Sequence, residues 1–110
     1  MPRQARPSIS TSELDELIEQ ATVDCYNDSE QVTGLFTMIE EHLALPFTTT
    51  LLGVPVTVAR VDVTRSDEIV AIYTRDGHRQ TIPIRDLPIP DPAPDGWEWI
   101  EAYRRWARWM

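Results

Sequence analysis

VPVTVARVDVTRSDEIVAIYTRDGHRQTIPI, residues 54–84, decides the fold. Val54, Val56, Val58, Val61 and Val63 alternate with polar residues, the period-two pattern of a half-buried strand. The alternation slips at Ala59 and Arg60, where a β-bulge accounts for the extra residue. Beyond it, EIVAIYTRDGHRQTIPI predicts two strands joined at Asp76-Gly77, a dipeptide suited to a tight hairpin turn. The segment therefore predicts a small antiparallel meander of three or four strands, coiled as an SH3-like half barrel. IRDLPIPDPAPDG is too rich in Pro to continue a central strand, so it should wrap the sheet and lead into a last helix.

On the N-terminal side the period changes to that of a helix. In TSELDELIEQATVDCY, Leu14, Leu17, Ile18, Ala21 and Cys25 form one stripe, with Thr11 or Ser12 as the cap. DSEQVTGLFTMIEEHLAL repeats the logic through Val32, Leu35, Phe36, Ile39 and Leu43. Asp28 and Gln31 read as a capping box, and Pro46 ends the helix. The short link at Tyr26 and Asn27 predicts an αα-hairpin. At the other end, Asp95 is expected to cap WEWIEAYRRWARWM, whose face is Trp99, Ala102, Tyr103 and Trp106, with Trp97, Ile100 and Trp109 off the stripe. Its Arg residues come late, which suits the helix dipole. The fold class is thus α+β: an N-terminal acidic helical hairpin packed on a small antiparallel sheet, with a C-terminal aromatic helix. Residues 1–10 read as a disordered lead-in and 11–110 as a single domain.

Charge is segregated along this chain. Between Thr11 and Leu45 lie nine carboxylates (Glu13, Asp15, Glu16, Glu19, Asp24, Asp28, Glu30, Glu40 and Glu41) and no Lys or Arg. With a net charge of −8, nucleic acid and anionic membranes are poor partners, whereas cations and basic surfaces are attracted. Cys25 is alone, so no internal disulfide forms, and no apolar run nears the ~20 residues of a membrane span. The chain reads as a soluble, cytoplasmic protein.

Catalytic chemistry finds little support. His42 and His78 have no Ser or Cys beside them in a nucleophile motif, and Cys25 falls on an apolar face where thiols pack. Cys25, His42 and His78 lack zinc-ligand spacing. The four glycines form no phosphate loop, and there is no Lys for one. Oxygen-rich cation binding remains. Calcium takes oxygens from carboxylates, Asn side chains, carbonyls and water in irregular geometry. The corner Asp24-Cys25-Tyr26-Asn27-Asp28-Ser29-Glu30 lets Asp24, Asn27, Asp28 and Glu30 converge. It is not an EF-hand loop, and on composition alone an acidic hairpin that merely faces solvent is the stronger reading. A second cluster, Asp62, Asp67 and Glu68, has Arg60 and Arg65 beside it to neutralise it.

Four pieces, VDCYND, LALPFTT, RQTIPIRDLP and EWIEAYRRW, occur together here, within a similarity running from Glu13 to Trp106. In this the chain resembles the CcbP-like (cyanobacterial-type) calcium-binding protein family. The resemblance implies a small acidic bacterial protein that binds Ca²⁺ through surface carboxylates without an EF-hand, as a buffer or regulator of free calcium and not as an enzyme. It matches the corner VDCYNDSE, so Asp24, Asn27, Asp28 and Glu30 are the expected ligands, within a field set by Glu13, Asp15, Glu16 and Glu19. The alternative is an interaction module whose acidic face docks a basic protein partner, anchored by Trp97 and Trp109.

Overall fold

The computed structural model describes residues 8–108. The order of elements is α1 (Thr11–Thr22), α2 (Asp28–His42), β1 (Phe47–Leu51), β2 (Val54–Val63), β3 (Ile69–Arg75), β4 (His78–Pro83), a 3-10 turn at Ile84–Asp86 and α3 (Trp97–Arg108). The four strands form an antiparallel meander in the order β1-β2-β3-β4. The α+β architecture is thus the expected one, with helices at both ends of the described chain. Among the described residues no helix is long and apolar enough to cross a membrane.

The sheet follows its sequence pattern closely. β2 spans the whole valine run, and its register against β3 shifts between Val58 and Arg60, the expected bulge. Asp76 and Gly77 both have positive φ (53° and 79°), as a two-residue turn of the primed kind requires. β1 is an addition to the expectation: FTTTL pairs with β2 ahead of Gly53, and Thr49 Oγ1 donates to the Pro88 carbonyl at 2.8 Å. That bond fastens the Pro-rich wrap to the first strand.

One face of the sheet carries the core. Val58, Val61, Ile69 and Ala71 meet Leu35 and Ile39 from α2 and Ile100, Ala102 and Tyr103 from α3. Ile100, expected off the stripe, is fully buried. Helices α1 and α2 approach so closely at Gly34 that any Cβ there would run into the Ala21 carbonyl.

The helix boundaries shift from those expected. Ser10, not Thr11 or Ser12, caps α1: its hydroxyl accepts from Glu13 N while Glu13 reaches back to Ser10 N. Ile9 leans on the core, so defined structure starts before Thr11, and residues 1–7 lie outside the described residues. Asn27, not Asp28, caps α2, which ends at His42 ahead of Pro46. Asp95 does not sit at the cap of α3. It lies two residues before Trp97 and gives its carbonyl to Ala44 N at 2.8 Å, tying the start of α3 to the end of α2. Trp109 lies outside the described residues.

Candidate functional site

The acidic corner links α1 to α2. After Thr22 the chain turns through Asp24, in the left-handed region at φ 63°, and Cys25 N returns to the Thr22 carbonyl at 3.0 Å. Asp24, Asn27, Asp28 and Glu30 are all exposed. Two of them have bonds inside the corner. Asn27 Oδ1 accepts from Glu30 N at 2.8 Å, and Glu30 Oε1 accepts from Tyr26 N at 2.7 Å. Asp28 and Glu30 occupy the first turn of α2, where the helix dipole favours carboxylates by about 0.3–1 kcal/mol each. The carboxylates of Asp24 and Asp28 make no protein hydrogen bond among the described residues. Nor do any three Asp, Glu, His or Cys side chains there come together as a preformed metal cage.

What the fold does bring to one cavity is Asp28 with two members of the second cluster, Asp67 and Glu68. The β2–β3 turn is knotted around Thr64, whose Oγ1 accepts from Ser66 N and Glu68 N at 3.3 and 3.1 Å. Asp67 sits on this turn with φ 62°, and its Oδ1 accepts from Ser29 Oγ at 3.3 Å across 38 residues of sequence. Turn and helix end thereby face each other. Asp28, Ser66, Asp67 and Glu68 line one open cavity of about 280 Å³ together with Arg85, with Tyr103 and Trp106 of α3 as its aromatic wall. The Trp106 indole donates to Gln31 Oε1 at 2.8 Å and holds that wall against α2.

Glu68 is the most constrained carboxylate of the cavity. Its oxygens accept from Arg85 Nε and Nη2 at 3.1 and 3.0 Å, a two-point clamp, and from the Tyr103 hydroxyl at 3.4 Å. The Tyr103 oxygen in turn accepts from Ile69 N at 3.4 Å. Burial pushes the Tyr103 phenol above its ordinary value against the pull of that N–H, and the Glu68 charge pushes the same way as burial. The expectation that Arg60 and Arg65 neutralise this cluster is corrected here: the counterion is Arg85, brought in from beyond β4. Asp62 lies apart, its Oδ1 accepting from Val63 N at 2.8 Å. No local sequence signal links Asp28 to Asp67 or Glu68 to Arg85, since both pairings exist only once the sheet and helices have packed.

The remaining candidates behave as structural residues. His42 stacks on Trp99 with ring centroids 5.5 Å apart at the end of α2, and His78 is exposed beside its turn. The Cys25 thiol is half-buried and donates to the Glu30 carbonyl at 3.4 Å. Trp97 is half-buried, lining a groove between the Pro-rich wrap and α3.

No protein-family model matches this chain, and no curated protein matches it. Two solved structures do. The crystal structure of Anabaena CcbP superposes with a TM-score of 0.74 over 91% of this chain and 93% of that one, at 18% identity. A structure described as a calcium binding protein in the calcium-binding form gives a TM-score of 0.69 over 88% and 90%, at 16% identity. The resemblance drawn from the sequence motifs is thereby borne out at the level of architecture: three helices and a four-stranded meander, in the fold of Anabaena CcbP.

Proposed function

We propose that this protein binds Ca²⁺ reversibly through surface carboxylates, without an EF-hand and without catalysis, as a buffer or regulator of free calcium in a bacterial cytoplasm. The observation that carries the reading is that Asp28, Asp67 and Glu68 line one open cavity, with Arg85 paired to Glu68 at it, beside an acidic hairpin that holds nine carboxylates and no Lys or Arg. The likeness of fold to a structure described as a calcium binding protein in its calcium-binding form supports it. Calcium takes six to eight oxygens at about 2.3–2.6 Å and tolerates irregular shells completed by water. Asp28 belongs both to the corner set of Asp24, Asn27, Asp28 and Glu30 and to the cavity set, so it is the residue on which both ligand sets depend. Open, flexible shells of this kind bind at roughly 10⁻⁶ to 10⁻³ M.

Isothermal titration of chelator-treated protein with CaCl₂, against MgCl₂ at the same ionic strength, tests this. Saturable heat with calcium, weakened at least about tenfold in Asp28→Ala, is expected. Asp24→Ala and Asp67→Ala then separate the two sets, since loss in only one of them assigns the ion to the corner or to the cavity. Equal, featureless heats with both metals would remove the reading. They would favour the second one, a surface for a basic protein partner, which the exposed Tyr26 (88%) and Val23 (66%) at the acidic corner support.

A further inference from the structure

Arg85 lines two neighbouring cavities, the one with Asp28, Asp67 and Glu68 and a second, open one of about 240 Å³ that it shares with Arg104, Ala107 and Arg108 and that no carboxylate lines. Three of the chain's ten basic residues gather there, in a protein of net charge −8. Arg104 and Arg108 are four apart on α3 and so lie on one face. Arg104 is held in place by Glu101 at 2.9 Å and by the carbonyls of Ile84 and Leu87, which fixes its guanidinium at the cavity edge. Its Nε is buried with no acceptor, so the fold leaves that guanidinium incompletely satisfied. Of the three charges, Glu101 balances one and Glu68 a second. Arg108 adds a third in the last turn of α3.

We propose that this cavity is a site for a compact oxyanion, a carboxylate or a phosphate-like group, with Arg108 and Arg85 as its donors and Arg104 as its fixed edge. Guanidinium groups match both oxyanions through paired N–H donors, and an anion would balance Arg108, which pairs with no carboxylate among the described residues while Arg104 and Arg85 are paired with Glu101 and Glu68. Arg85 also makes the site adjustable. While Glu68 clamps two of its nitrogens, only part of its donor set is free; whatever withdraws Glu68 releases Arg85 to the anion. A cation drawing Glu68 into the neighbouring cavity would do so, a step that rests on the calcium reading, and by linkage the anion would then favour the cation equally.

The test is ¹H–¹⁵N spectroscopy of the backbone and arginine Nε–H groups in calcium-free protein, at constant ionic strength. Sodium sulfate serves as the tetrahedral probe and sodium acetate as the planar one. Saturable shifts confined to residues 84–108 are expected, and the probe that saturates first names the oxyanion class. Arg108→Gln should weaken binding at least about fivefold, and Glu68→Gln, which frees Arg85, should tighten it several-fold. Shifts that grow linearly without saturation, or an Arg108→Gln protein that binds as the wild type does, would overturn the site. Should Glu68→Gln fail to fold, Arg85→Gln replaces it and should weaken binding. Repeating the sulfate titration with calcium present tests the link: unchanged affinity, in protein that binds calcium by calorimetry, overturns the coupling. Absence of calcium binding strikes the calcium reading and leaves the calcium-free result standing.

Discussion

Asp15 and Arg105 form the one ion pair that reaches into the acidic hairpin among the described residues, with Arg105 Nε 2.7 Å from Asp15 Oδ1. The hydrogen bond from Arg105 holds the Asp15 carboxyl below its ordinary value of 3.8, and the same contact raises the guanidinium. A carboxylate whose pKa falls on folding contributes stability above its unfolded pKa and loses that contribution as pH falls through the folded one. Wild type should therefore melt above Asp15→Asn at neutral pH, by a small margin because Asp15 is 59% exposed. The margin should close as the pH drops below 3.8. Thermal melts across that range check it, and a margin that widens in acid would mean that the pair is not what Asp15 contributes.

At the scale of elements, local rules held wherever neighbours in sequence decide the outcome. The valine run with its bulge, the Asp76-Gly77 turn and the helical stripes were all legible. β1 was not, because Phe47-Thr-Thr-Thr-Leu51 has no apolar alternation of its own and becomes a strand by pairing with β2. The caps moved because several adjacent residues could serve. Glu13 and Glu30 decide the matter, each lying three residues past the true cap and donating its backbone N–H to it. The candidate site was legible only in its halves: Asp28 from the corner, Asp67 and Glu68 from the second cluster. Gly34 is where hairpin packing overrides propensity. Alanine there gains about 1 kcal/mol of helix preference. Yet its Cβ would collide with the Ala21 carbonyl, and overpacking costs about 1–3 kcal/mol. Gly34→Ala should lower the urea midpoint of unfolding; a raised midpoint would mean that the helices part at little cost.

Across the whole molecule, half of the 18 carboxylates lie in the N-terminal helical hairpin, eight in its helices and Asp24 in its link, while α3 carries Arg104, Arg105 and Arg108. The fold sets α3 against both acidic helices, through Arg105 to Asp15 and Trp106 to Gln31, and so relieves part of the repulsion that the hairpin would suffer alone. Ligand binding should relieve more. Calcium at a hundredfold excess over its dissociation constant should stabilise the domain by about 2.7 kcal/mol, visible as a rise in Tm beyond that given by NaCl of equal ionic strength. A rise no larger than the NaCl control would point to screening alone.

The contact between Asp15 and Arg105 also joins positions 90 residues apart, each within a few residues of an end of the described helices. At 1.5 Å of rise per residue, the start of α1 and the end of α3 lie within roughly 20 Å of each other. The described chain therefore enters α1 and leaves α3 in one neighbourhood, so the last turn of α3 is presented beside α1 and its row of carboxylates.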